Sequence, residues 1–219
     1  MIPPAKNGDF VAKMEYVLDV YKRPYNKEFP VVCMDETPKQ LVRTKSHSLP
    51  MKPGNIAKVD YEYIREGMAN IFMANEPLTG KCIIETTQTK TKKDWANYLR
   101  NLSDTAYPGA KKISLVMDNY ATHSATALYE TFLPEEAWRI WNRFEFVYTP
   151  IHGSWLNMAE IELQILKRQC LNRHIYSITE LQHEVNAWQL NRNSIPHLIN
   201  WQFTTKDARI KLKRLYPSF

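Results

Sequence analysis

Two apolar runs in this chain end in an acid. Residues 30–34 (Pro-Val-Val-Cys-Met) lead into Asp35 and Glu36, and residues 113–117 (Ile-Ser-Leu-Val-Met) lead into Asp118. A carboxylate that closes a buried strand is costly unless positive charge balances it. In α/β sheets, ligands gather beyond the strand ends. Two such acids on neighbouring strands would repel each other. A divalent cation relieves that repulsion, and hard oxygen donors suit Mg2+ or Mn2+. The competing account is that each Asp only starts a turn or caps the next helix. A third acid would strengthen the metal reading, and the segment from His152 to Glu162 offers two. Helix geometry puts Glu160 about 90° to one side of the local apolar stripe and Glu162 about 70° to the other, so periodicity does not choose between them.

The elements that must position these acids can be read from spacing. Residues 1–8 carry Pro3, Pro4 and an Asn7-Gly8 turn signal and are expected to be a linker. Phe10, Met14, Val17 and Tyr21 then mark one face of a helix. Residues 30–36 read as a buried strand, and 37–58 as a polar, proline-rich loop or hairpin arm. Residues 66–87 read as a hairpin turning at Pro77-Leu78-Thr79-Gly80. A helix is expected over 92–104, with Trp95, Leu99 and Leu102 inward. A strand follows over 113–118, a helix over 124–133, and a strand over 144–149 that Pro150 stops. Leu156, Ala159, Leu163, Leu166 and Cys170 form a helical stripe. The last helix starts at Ser177 or Thr179, each with a capping-box partner, and buries Leu181, Val185 and Trp188. Helices between strands predict an α/β layered domain on a mixed sheet.

Composition narrows the function. The chain has 219 residues, with Lys+Arg 29 against Asp+Glu 23, a formal charge of +6. Apolar residues at 44% and aromatics at 12% exclude a disordered chain. No apolar run approaches the ~20 residues of a membrane span, so no membrane partner is expected. Lys6, Asp9, Lys13, Glu15 and Asp19 exclude a signal-peptide core at the start. Cys33, Cys82 and Cys170 are widely spaced, which points to reduced thiols in a reducing compartment, and no histidine–cysteine spacing fits zinc. The basic tail holds Lys206, Arg209, Lys211, Lys213 and Arg214 against Asp207. It reads either as a solvated helix or as a strip for phosphate contacts. Lys90, Lys92 and Lys93 present the same choice between a DNA path and a solvated loop.

Five strings then carry a family resemblance: CMDE (33–36), DYEY (60–63), GMANIFM..EP..G (67–80), VMDNYATH (116–123) and TPIHGSWLNMAEIEL (149–163). In this order they resemble the catalytic domain of DDE transposases, in the bacterial insertion-sequence branch of the mariner superfamily. The resemblance spans about residues 3–205. It implies a ribonuclease-H-like fold: a mixed sheet with helices on both faces. It implies DNA strand cleavage and strand transfer at transposon ends by a triad of acids holding two divalent metals, Mg2+ or Mn2+. By motif the triad is Asp35, Asp118 and Glu160, the last chosen over Glu162 by the Leu156-Asn157-x-x-Glu160 pattern. The usual Pro-Ile inside that pattern is Met158-Ala159 here. The 41 residues between Asp118 and Glu160 exceed the usual spacing, and the extra length is assigned to 132–143.

Asn119, His123, His152 and Asn157 are candidate accessory residues flanking the site. Lys90, Lys92, Lys93, Lys206, Arg209 and Lys213 are candidate DNA contacts. The expected organisation is a linker and helix over 1–29, the catalytic domain over 30–205 and a basic tail over 206–219. An N-terminal DNA-binding region would precede the chain in a homodimeric full-length protein. Cytoplasmic location at a bacterial nucleoid is implied. Two other functions compete: a purely hydrolytic ribonuclease-H-like nuclease, and an inactivated relative kept for DNA binding.

Overall fold

The computed structural model describes residues 7–45, 62–118 and 123–217. Five strands build one sheet in the order β3-β2-β1-β4-β5. They are β1 (Val31–Thr44), β2 (Tyr63–Glu76), β3 (Lys81–Thr87), β4 (Ile113–Met117) and β5 (Phe144–Tyr148). β1 pairs antiparallel with β2 and β2 with β3, while β1–β4 and β4–β5 are parallel. The mixed sheet expected from the alternation of elements is therefore present.

Helices cover both faces. Alternation along β1 sends Val32 and Met34 to one side and Val31 and Cys33 to the other. The first side packs under α2 (Lys92–Asn101), α3 (Ala125–Tyr129) and α4 (Pro134–Asn142), with Trp95, Leu99, Leu128 and Ile140 buried. On the second side, α1 (Gly8–Tyr21) lies near β5. Further along that side, α5 (Ala159–Leu166) lies across β1 and β2. α6 (Ile178–Ser194) packs on β3, and α7 (Thr205–Lys211) packs on α1. Among the described residues no helix is long and apolar enough to cross a membrane.

Several expectations shift for physical reasons. Asn7 and Gly8 do not form a linker turn. The Asn7 side chain accepts the Phe10 amide hydrogen at 3.0 Å, which caps α1 and starts it at Gly8. Residues 37–44 extend β1 as an arm. Val42 donates its amide to the Ile175 carbonyl, and Lys39 Nζ donates to the Leu171 and Arg173 carbonyls. Much of the connection 132–143 is a helix, α4, with Pro134 in its first turn. The division at 29/30 and 205/206 does not appear in the packing. Phe10, Met14 and Leu18 of α1 share one buried cluster with Val116, Ala208 and Leu215. The hairpin turn holds where expected, because Gly80 has φ +75 and a Cβ there would sit 2.4 Å from the His197 nitrogen.

Candidate active site

The parallel pairing of β1 with β4 aligns the two strand-end acids. Its register runs from Val31↔Ser114 to Cys33↔Val116, and Asp35 and Asp118 each stand two residues past that last pair. Alternation turns Asp35 toward the side of the sheet that α5 covers. Its Oδ1 accepts the Glu36 amide hydrogen at 2.8 Å. Burial nevertheless pushes the Asp35 carboxyl up to about 7, and the negative charges of Glu36, Asp118 and Glu160 push the same way.

Glu160 and Glu162 are separated by the way α5 begins. The chain leaves β5 through a tight turn in which the Gly153 amide donates to the Pro150 carbonyl at 2.8 Å. A Cβ at Gly153 would meet Pro150 Cγ at 2.5 Å, so only glycine fits. A short 3-10 turn, Ser154–Leu156, follows. Asn157 is buried; its Nδ2 donates to the Met34 carbonyl at 2.7 Å and its Oδ1 accepts from the Ala159 amide at 3.1 Å. This side chain thus ties the start of α5 to the β1 residue just before Asp35. The α-helix starts at Ala159, after Asn157 closes the 3-10 turn and Met158 serves as N-cap. Glu160 then falls in its first turn, half-buried. Glu162 points inward. It is 2% exposed and accepts Arg192 Nε at 3.0 Å and Nη2 at 2.8 Å.

On the other face of β1, the side chain of Glu36 is buried, with Lys90 Nζ paired to its Oε1. His123 lies between Glu36 and Asp118, its Nε2 3.4 Å from Glu36 Oε2 and its Nδ1 2.7 Å from Asp118 Oδ1. Burial alone would lower the His123 imidazole, but Asp118 and Glu36 raise it to about 9. Burial alone would raise the Glu36 carboxyl, but hydrogen bonds from His123 and Lys90 hold it below its ordinary value.

The remaining candidates scatter. His152 is exposed, with a left-handed φ of 65. Asn119 lies outside the described residues. Lys92 pairs with Glu130, and Arg209 forms a two-pronged pair with Glu15 of α1. Lys93, Lys206 and Lys213 are exposed. Glu36 and Trp95, whose ring stacks on His123, were not picked out as site residues. The available signal was strand alternation, which sends neighbours Asp35 and Glu36 to opposite faces.

Among the described residues, no three His, Cys, Asp or Glu side chains form a ready-made metal cage. The donor chemistry of Asp35, Asp118 and Glu160 still fits a hard divalent cation: it is all carboxylate oxygen, and Asp35 is held above its ordinary range by burial and then by the other acids.

The DDE superfamily endonuclease family matches residues 30–182. The chain belongs to that family. Membership makes it an endonuclease domain and implies divalent-metal chemistry. Solved structures of the Mos1 mariner transposase share the fold of this DDE domain. The paired-end complex with Mn matches at a TM-score of 0.57 and 17% identity, over 87% of this chain and 57% of that one. The strand transfer complex matches at a TM-score of 0.56 and 16% identity, over the same shares of the two chains. The paired-end complex with Mg matches at a TM-score of 0.55 and 14% identity, over 100% of this chain and 66% of that one. The DDE domain spans a little over half the length of the first of these. No curated protein matches the sequence. The likeness identifies the sheet as ribonuclease-H-like.

Proposed function

We propose that this DDE domain cleaves DNA strands at transposon ends and joins them to a target. Asp35, Asp118 and Glu160 would hold the divalent metals, Mg2+ or Mn2+. The observation that carries this reading is the common level of Asp35 and Asp118 on adjacent parallel strands, with the Glu160 charge felt at Asp35. Held by Asp35, Asp118 and Glu160, divalent metal would supply activation of a water or 3′-hydroxyl and stabilisation of the leaving oxygen. The chain's own residues do the rest. Asn157 fixes the start of α5, and with it Glu160, against β1. His123 holds one oxygen of Asp118. Glu162 is committed to Arg192, which leaves Glu160 as the α5 acid available to the site.

The shared fold of the Mos1 paired-end complex with left transposon end and of the Mos1 strand transfer complex supports joining over hydrolysis alone. The protein would act as a homodimer on DNA at a bacterial nucleoid. We assign to the exposed Lys93, Lys206 and Lys213 sequence-independent contacts with the DNA backbone. α1 and α7 belong to the same catalytic unit, as their shared buried cluster supports.

The test is a strand-transfer assay with a pre-cut end and Mn2+. Joined product supports the proposal. Nicked product alone would make the domain a hydrolase. Affinity for random duplex that is unchanged by Glu at positions 93, 206 and 213 removes the assigned backbone contacts.

A further inference from the structure

Asp35 and Glu36 are adjacent in sequence but face opposite sides of the sheet. Only Asp35 points toward α5 and Glu160. Glu36 points under α2 and α3, where its side chain is 3% exposed. A carboxylate buried this deeply is retained at a cost unless its partners are well made. Here the partners form a line. Lys90 Nζ pairs with Oε1, and His123 Nε2 lies 3.4 Å from Oε2. The imidazole is 1% exposed and its opposite nitrogen, Nδ1, reaches Asp118 Oδ1 at 2.7 Å. The ring is fixed in its plane by stacking on Trp95, with centroids 5.4 Å apart and 25° between planes. Its backbone is held too: the Tyr148 hydroxyl donates to the His123 carbonyl at 3.0 Å. A Lys90–Glu36 pair alone would satisfy the buried charge. What it would not explain is an imidazole held between Glu36 and a strand-end acid on the neighbouring strand.

We propose that Glu36 is a positioning residue: through His123, whose Nδ1 lies 2.7 Å from Asp118 Oδ1, it orients the Asp118 carboxylate toward a divalent cation. This rests on the reading of Asp118 as a metal ligand. Partners one step behind a ligand set its orientation, and their loss typically weakens metal binding by about 10–100-fold. Asp35 and Glu36 then divide the labour of one dipeptide, Asp35 toward the metals and Glu36 toward the group that aims Asp118.

The experiment measures Mn2+ affinity by calorimetry, and the melting temperature in EDTA, for the whole chain and its variants. Glu36→Gln keeps the shape and removes the charge. Glu36→Asp keeps a charge for Lys90 but withdraws the carboxylate from His123, and is the second variant should Glu36→Gln fold poorly. Both are expected to weaken Mn2+ binding by about tenfold or more. His123→Asn retains a donor near the Nδ1 position and is expected to bind Mn2+ better than His123→Ala. Adding Glu36→Gln to His123→Ala is expected to weaken binding no further, because the line is already cut. If the Glu36 variants lower only the EDTA melting temperature and the folded protein binds Mn2+ as tightly as wild type, Glu36 is structural and the proposal falls. If Asp118→Asn itself binds Mn2+ like wild type, it is the underlying reading of Asp118 that fails.

Discussion

Asp35 and Glu145 are carboxylates on strands of one sheet, and their surroundings drive them in opposite directions. Glu145, on β5, receives a two-pronged contact from Arg23, at 2.5 and 2.9 Å, and hydroxyl hydrogen bonds from Tyr16 and Ser114, each at 2.6 Å. Arg23 above all holds its carboxyl down at about 2. Asp35 has burial, three acidic neighbours and one backbone amide, and stands at about 7. The difference lies in position along the parallel strands. Glu145 pairs in register with Ser114, near the start of β4, while Asp35 lies level with its end. The sheet thus completes its carboxylate at one end with the chain's own cations. At the other end Asp35 is buried among acids, a crowding that an added cation would relieve. A carboxylate that the protein satisfies is architecture, and one it leaves short of positive charge is available for chemistry.

The largest test of this contrast is catalytic. Asp35→Asn, Asp118→Asn and Glu160→Gln should each reduce Mn2+-dependent DNA cleavage by about three orders of magnitude, the equivalent of several kcal/mol of lost metal stabilisation. Cleavage rates on a supercoiled plasmid read this directly, and near-wild-type cleavage by any one variant removes that acid from the set.

Glu162→Gln should do the reverse. It leaves Arg192, only 12% exposed, without its carboxylate, and the expected loss is about 3–5 kcal/mol of folding stability. Urea unfolding measures it. The cleavage rate per folded molecule should stay near wild type, which separates two acids two residues apart on α5.

Smaller is the metal-free effect at Asp35. Its carboxyl lies above the ordinary 3.8, so its charged form disfavours the fold, progressively so as pH rises from about 4 toward about 7. Asp35→Asn should therefore stabilise the protein in EDTA at pH 7 by on the order of 2 kcal/mol, at about 1.4 kcal/mol per pKa unit and discounted for partial exposure. Excess Mn2+ should raise the melting temperature of wild type but not of the variant. A variant that melts lower than wild type in EDTA contradicts the crowding of charge.

The smallest effect is expected at Glu145, whose side chain keeps some contact with solvent. Its carboxyl is depressed from 4.5 to about 2, so its contribution is complete above about 4.5 and fades as pH falls toward 2. Glu145→Gln should melt a few degrees below wild type at pH 6. The two melting curves should converge near pH 2, and a gap that persists there would assign the loss to packing.

Much of this was legible in the chain. Strand and helix periods come from burial on one face, so the runs before Asp35 and Asp118, the Trp95-Leu99 face and the Pro77–Gly80 turn could be read directly. The helix within 132–143 was missed because Pro134 reads as a breaker unless it sits in a first helical turn. The linker assignment of Asn7-Gly8 failed because the same pair serves as turn or cap, depending on whether a core waits behind it.

The sequence by itself determined the inventory: two acids after apolar strands, a third acid on a helical segment, and a basic surplus. These follow from local pattern and composition. Only the tertiary structure decided the partners. Glu160 and Glu162 flank the same stripe, and it is Glu162 that Arg192, thirty residues away on α6, engages. Glu36 sits beside Asp35 in the chain, yet its partners are Lys90 and His123. Lys90 carries a charge suited to DNA, yet it is drawn to a buried carboxylate. Charge compensation acts through space over a few ångströms, and no local period records which distant cation will arrive there.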